Sequence, residues 1–258
     1  MKNLCVVVVG TRNPLNLGAV ARAMSNFGAM ELRAVRPYEK AWREARSAVG
    51  AGAVMAGAKE FATVAEAVAD CALVVGTTAV GNREVKHPLR VLPEAAELIG
   101  KRMETGRVAV LFGSEKWGLS NEDLSYCHWL MRIPTRVEHR SMNLGQAAAV
   151  VMYELGGRGS KGGKGSKGKE KSSGSIRLGA GDPSKNLGKK AFAEMETVER
   201  IGEALLEALR KSGYIAPRGE AKAEEKLRRM LRRFSMEATD AEVLLGMVRK
   251  ILWKLGKE

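Results

Sequence analysis

Residues 4–28 read LCVVVVGTRNPLNLGAVARAMSNFG, and this stretch decides the fold class. Leu4–Val9 is an unbroken, valine-rich apolar run, the pattern of a short strand buried on both faces. It passes through a polar turn, Gly10-Thr11-Arg12-Asn13-Pro14, into a segment where Leu17, Val20, Met24 and Phe27 recur at helical spacing. The alternation then repeats. Strands are predicted at Leu32–Val35, Leu73–Gly76, Val108–Phe112 and Trp129–Ile133. Helices are predicted at Thr63–Asp70, Pro93–Lys101 and Leu144–Glu154, with Pro93 suited to a first turn. Short buried strands alternating with helices specify an α/β fold, a parallel sheet flanked by helices.

The pattern ends at residue 155. Residues 156–175, GGRGSKGGKGSKGKEKSSGS, have nothing to bury and carry six positive charges against one negative, so 156–190 is expected to be a flexible basic linker. It is either a solvated spacer or a tether that also touches phosphates. Beyond it the chain is purely helical. Met195, Val198, Gly202, Leu205, Leu206 and Leu209 share a face, Leu227, Met230, Leu231 and Phe234 repeat it, and Leu244 to Leu255 hold it again after a Thr239–Glu242 capping box. Residues 191–258 therefore read as a small all-α C-terminal domain, tethered to a first domain (1–155) whose own core closes before the linker. Arg228, Arg229, Arg232 and Arg233 cluster on its middle helix, as a solvated face or as an RNA contact.

Composition narrows the partners. The 258 residues hold 43 Lys and Arg against 29 Asp and Glu, a formal net charge of +14, which points to nucleic acid first and an anionic membrane surface second. No apolar run approaches the roughly 20 residues of a membrane span. Three cysteines without a CxxC pair imply no disulfide framework, and a cytoplasmic location is expected. His87, His128 and His139 are spaced too irregularly for a zinc site, so no metal is expected. Gly113-Ser114-Glu115-Lys116-Trp117-Gly118 superficially suggests a phosphate loop, but Leu119 stands where the lysine belongs and Glu115 sets an anion where phosphates would lie. No GxGxxG opens the first helix, and no nucleophile elbow is present.

Polar residues gather at three strand ends, where open α/β sheets place ligands. The first holds Asn16, either a helix cap or a site residue, and Arg22, either a surface arginine or a functional one. The second runs from Phe112 to Ser120, with Gly113 and Gly118 either making a tight turn or letting backbone approach a ligand, and Glu115 between them as an acceptor. In the third, a strand breaks at Ile133-Pro134, crosses a loop, and enters an Ala-rich helix at Ser141 or Asn143, either of which can be a cap.

Together and in this order, the three segments resemble the three motifs of the SPOUT superfamily of RNA methyltransferases, in its ribose 2′-O-methylating SpoU branch. The pattern NxGAxAR…FG is carried by Asn16, Gly18, Ala19, Ala21, Arg22, Phe27 and Gly28. FGxExxGLs is carried by Phe112, Gly113, Glu115, Gly118, Leu119 and Ser120. IP…SxNl…A is carried by Ile133, Pro134, Ser141, Asn143, Leu144 and Ala147. Val74 to Ala79, Asn121 to Leu124, Cys127-His128 and the helical extension resemble the TrmJ-like subgroup, which methylates the ribose of nucleotide 32 in the tRNA anticodon loop. Met142 and the Gly/Lys linker depart from the pattern. The resemblance implies a trefoil knot near the end of the catalytic domain (1–155), and a homodimer with its active site at the subunit interface. It implies S-adenosylmethionine as cofactor, bound by Thr77, Thr78, Ala79, Gly113, Glu115, Gly118, Ile133, Arg140, Ser141, Met142 and Asn143. It makes Arg22 the catalytic clamp, with Asn16 and Ser141 positioning it and the ribose, and Glu115 and Asn143 bracing loops. Arg12, Arg83 and Arg136 are then phosphate contacts to tRNA. Ribosomal RNA, another tRNA position, or a non-catalytic RNA-binding role stay open at this stage.

Overall fold

The valine-rich run becomes a central strand. β1 (Leu4–Val9) pairs in parallel with β2 (Glu31–Val35) on one side and β6 (Val108–Phe112) on the other, with Val6 opposite Leu32 and Val110. The computed structural model describes residues 1–47, 52–79, 86–159, 191–216 and 219–256. Elements are numbered in chain order. β3 (Lys59–Phe61), β4 (Leu73–Thr77), β5 (Leu89–Val91) and β7 (Trp129–Arg132) complete a seven-stranded, all-parallel sheet of order β3-β2-β1-β6-β4-β7-β5. The last strand, β7, inserts between two earlier ones.

The expected strands form within a residue or so of their predicted ends; Ile133 lies just past β7. Two were not anticipated, β3 and β5. Both are three-residue edge strands whose half-solvated, charged residues (Lys59, Glu60, Arg90) carry no hydrophobic pattern.

Side chains alternate across the sheet into two cores. Leu4, Val6, Val8, Val110 and Phe112 face α1 (Pro14–Asn26), α5 (Leu92–Met103) and α7 (Leu144–Gly159), with α2 (Glu39–Ser47) and α3 (Gly52–Ala56) beside them. Cys5, Val7, Val9, Ala109 and Leu111 face α4 (Val64–Val68) and α6 (Asn121–Ser125). Helices α1 and α7 run parallel and very close: a Cβ on Gly145 would lie 2.5 Å from Ala19 Cβ. Further along the pair, Phe27 meets Tyr153 edge-on.

Three C-terminal helices follow, α8 (Met195–Lys211), α9 (Glu220–Phe234) and α10 (Ala238–Leu255). They correct the expectation of a separate body whose partner closes its core alone. Met195, Val198, Ile201, Leu231, Ala241 and Leu245 are buried in the same cluster as Val7, Val68, Cys71 and Leu111. The first turn of α8 has no side-chain cap; instead Met195 N–H and Glu196 N–H donate to the carbonyls of Cys71 and Ala69. The first domain thus satisfies donors that a free helix would leave unmade. Two further details differ. α7 continues to Gly159, so the first four expected linker residues are helical, while 160–190 lie outside the described residues. Thr239 and Glu242 sit inside α10, whose cap position is Glu237, so they form no capping box.

One buried cation ties β2 to the turn after α4. Arg33, 4% exposed, donates to Glu31, to Ala67 O (2.7 Å) and to both oxygens of Asp70 (2.6 and 2.9 Å), and Arg107 bridges the same two acids. The Arg33 hydrogen bonds, against partial burial, hold the Asp70 carboxyl down at about 2. A depressed folded pKa stabilises above the unfolded value near 3.9 and loses that contribution as pH falls toward 2. Asp70→Asn should cost about 1 kcal/mol at pH 7 after solvent screening is allowed for. Its urea midpoint should then fall less than the wild type's between pH 4 and pH 2. Equal pH slopes would remove Asp70 from the stabilising set.

Candidate active site

The chain leaves β1 toward β2 and leaves β6 toward β7, in opposite directions, so a crevice opens at the carboxyl ends of these neighbouring strands. Three loops meet there. The loop after β6 is shaped by Gly113 and Gly118: Ser114 and Gly118 exchange backbone hydrogen bonds (3.2 and 2.8 Å), and Gly118 has φ +67°. A Cβ on Gly113 would lie 2.0 Å from the Gly118 carbonyl carbon and 2.2 Å from Leu119 N, so only glycine fits. The loop holds Glu115 toward α1. Glu115 Oε1 accepts from Thr11 Oγ1 and from Asn16 Nδ2, each at 3.0 Å, and Oε2 accepts from Arg12 N–H at 3.4 Å. Partial burial opposes the charge on Glu115, but these donors prevail and keep its pKa below the ordinary carboxylate value.

Asn16 reaches the third loop as well. Its Oδ1 accepts from Asn143 Nδ2 at 2.8 Å, and Asn143 Oδ1 accepts from Gly145 N–H (2.9 Å) and Gln146 N–H (3.3 Å), capping α7. The helix therefore enters at Asn143, not Ser141. Asn16 is not a cap. That place belongs to Asn13, whose side chain accepts from Leu15 N–H at 2.9 Å, with Pro14 in the first turn. Displaced into the helix, the Asn16 amide is free to join two loops.

The cavity beside this network holds about 430 Å³, within the roughly 300–1,000 Å³ usual for small-molecule sites. Thr77, Thr78, Ala79, Gly113, Glu115, Gly118, Ile133, Arg140, Ser141, Met142 and Asn143 all line it, as does Asn16. The three sequence segments are thus brought together. Thr78 N–H donates to Met131 O (2.9 Å) and Thr77 Oγ1 to Leu111 O (2.8 Å), fixing the end of β4 against its neighbours. Sequence reasoning gave no role to Thr11, buried beneath Glu115, nor to Lys116 and Trp117, which also line the cavity. Thr11 was legible only as the residue between a glycine turn and Arg12.

Arg22 stands apart. It lies six residues beyond Asn16, about 9 Å along the axis and about 120° round it, is exposed, and does not line the cavity of its own chain. Arg12 and Arg136 are exposed near the cleft; Arg83 lies outside the described residues. The arginine cluster of α9 divides, which corrects its reading as one RNA-facing patch. Arg232 is 1% exposed and bound to Glu199. Arg228 stacks over Tyr126 and pairs with Glu224 and Glu199, and Arg229 pairs with Glu225. The acids come from α8 and from one turn earlier in α9, out of view of a run of four arginines. Arg233 is exposed.

A doubly covered parallel sheet with its cleft at this switch point belongs to a known class of enzymes. The chain is a member of the SpoU rRNA Methylase family, which matches residues 3–153. It is 30% identical over 252 residues to the tRNA (cytidine/uridine-2′-O-)-methyltransferase TrmJ of Pectobacterium atrosepticum, covering 97% of each chain. The crystal structure of TrmJ from Z. mobilis superposes with a TM-score of 0.74 at 31% identity, over 96% of this chain and 98% of that one. A probable methylase family protein from Haemophilus influenzae gives a TM-score of 0.55 at 26% identity, over 98% and 97%. The chain is accordingly an RNA methyltransferase, and the methyl donor of its family is S-adenosylmethionine.

Gly113→Ala should force the Gly118–Leu119 backbone to move and weaken S-adenosylmethionine binding by about tenfold or more, ~1.4 kcal/mol, with an unchanged far-ultraviolet spectrum. Calorimetry checks this; wild-type affinity would place the cofactor elsewhere.

Proposed function

We propose that this protein transfers a methyl group to the ribose 2′-OH of nucleotide 32, a cytidine or uridine, in the anticodon loop of tRNA. The observation that carries the reading is the Glu115–Asn16–Asn143 network, which binds all three loops round one cavity. The full-length relatives named for 2′-O-methylation of cytidine and uridine in tRNA support the substrate class. Position 32 follows the resemblance to the TrmJ-like subgroup. So do a cytoplasmic setting and the trefoil knot, to which the insertion of β7 between β4 and β5 lends support.

When bound, S-adenosylmethionine supplies the methyl group. The residues present suit it: Gly113 lets the 113–118 loop close on its own backbone, Gly118 lines the cavity with open space where a Cβ would stand, and Ile133, Leu119 and Met142 offer apolar walls. Thr77, Thr78, Ala79, Arg140, Ser141 and Asn143 complete the set that would hold it. Glu115, with its oxygens already engaged, braces the loops instead of acting as a base.

A ribose hydroxyl is a poor nucleophile and needs alignment and proton removal. A guanidinium offers donors and no acceptor, so Arg22 is not the base. It acts as the clamp on the target phosphate, stabilising the developing alkoxide and orienting the hydroxyl. Arg12 and Arg136 hold flanking phosphates. The distance of Arg22 from its own cavity argues that it serves the partner's site in a homodimer. Exposed apolar residues on the α1–α7 pair, Leu15 (80%) and Tyr153 (62%), support that face as the interface.

Arg22→Ala should lower turnover by about 10²-fold or more while leaving S-adenosylmethionine affinity unchanged. If the arginine works across the interface, mixing Arg22→Ala with Gly113→Ala subunits at S-adenosylmethionine well below the weakened Kd should give about a quarter of wild-type activity, since each mixed dimer keeps one complete site. No recovery on mixing would confine Arg22 to its own chain. A tRNA transcript with a 2′-deoxy residue at nucleotide 32 should accept no methyl group; undiminished transfer would move the target to another nucleotide or another RNA.

A further inference from the structure

At the opposite edge of the sheet, where β4 and β7 begin, a second recess of about 520 Å³ lies between the sheet and the C-terminal helices. Arg90, Lys101, Arg102, Arg232, Arg233 and His128 line it, and among the described residues no carboxylate does. Glu94, Glu97 and Glu199 pair with Arg90, Lys101 and Arg232 from outside the recess. Arg102 and Arg233 have no carboxylate partner among the described residues.

The arginines are held with donors unspent. Arg102 stacks 3.2 Å over the Phe192 ring and Arg90 5.6 Å over Trp129, which orients their planes. Arg90 Nε, Arg102 Nη1 and Arg232 Nε are all buried without a hydrogen-bond partner. Folded proteins rarely leave such donors unmade, and the cluster of like charges around them favours an anion. His128 adds a neutral donor. Its Nδ1 accepts from Val74 N–H at 3.0 Å, which leaves the proton on Nε2. Burial, then Arg232 and Arg102, push this imidazole down to about 3, so it carries no charge at neutral pH.

We propose that this recess is a binding site for a phosphate group, taken by Arg102 and Arg233, with Arg90 and Lys101 beside them. A tetrahedral oxyanion suits planar guanidinium forks from two layers, and its charge would offset Arg102 and Arg233, which no carboxylate among the described residues balances. The phosphate comes either from a free di- or triphosphate or from the backbone of the RNA. The recess opens away from the methyl-transfer cleft, so its occupancy does not depend on the reaction assigned there.

The test uses the full-length protein, with inorganic pyrophosphate in calorimetry and a tRNA transcript in a salt-titrated binding assay. Arg102→Met keeps the apolar contact with Phe192, and Arg233→Gln changes an exposed side chain. Wild type should bind pyrophosphate, and each variant should bind it about tenfold or more weakly, with S-adenosylmethionine affinity unchanged. Weaker tRNA binding with a salt slope reduced by roughly 0.7–0.9 identifies RNA backbone as the source. An unchanged tRNA slope with weakened pyrophosphate binding identifies a free phosphate. If Arg102→Met fails to fold, Arg233→Gln decides alone. Wild-type affinity of the folded variants for both probes would overturn the site.

Discussion

The cleft rests on the carboxylate of Glu115. Three donors from the β1 loop and the first turn of α1 converge on it, and one of them, Asn16, also accepts from the residue that caps α7. An ionised carboxylate takes all three at once; a protonated one would turn an acceptor into a donor facing donors. The two glycines on either side matter for the same reason, since they bend the β6 loop until that carboxylate reaches across a strand. Loop, helix and cap are thereby set jointly, and a displacement of any one is felt by the others.

That network was only partly legible in the sequence. The strands buried on both faces announced themselves, because Leu4–Val9 and Val108–Phe112 have no polar alternative to packing. The three polar segments were visible as clusters at strand ends, and their grouping round one cavity follows from parallel strands placing their carboxyl ends on one edge. What composition could not reveal was pairing. Asn16 reads as a helix cap until Asn13 takes that position and frees it, and a link across 99 residues to Glu115 leaves no periodic trace. The edge strands β3 and β5 escaped notice because half-solvated strands look like loops.

The C-terminal helices teach a related lesson about charge. A run of arginines on α9 suggests a surface for RNA, yet Arg232 is among the most deeply buried side chains in the protein. Its partner Glu199 lies one helix earlier, and Arg228 spends its charge on Tyr126, Ser125 and two glutamates. Much of this cationic run is a docking device between helices and sheet. The one of the four that remains open, Arg233, lies at the end of the helix and lines the recess.

The shared core also has a consequence for how the chain is made. On one face of the sheet, the cluster of Val68, Cys71 and Leu111 is completed by Met195, Val198, Ile201 and Leu245, more than 80 residues downstream of the nearest of them. At roughly 5–20 residues per second, a ribosome would leave that apolar face only partly covered, by α4 and α6, for on the order of 5–20 seconds after the last strand has emerged. The nascent protein thus spends that interval with part of one apolar face exposed, a stage at which aggregation competes with folding.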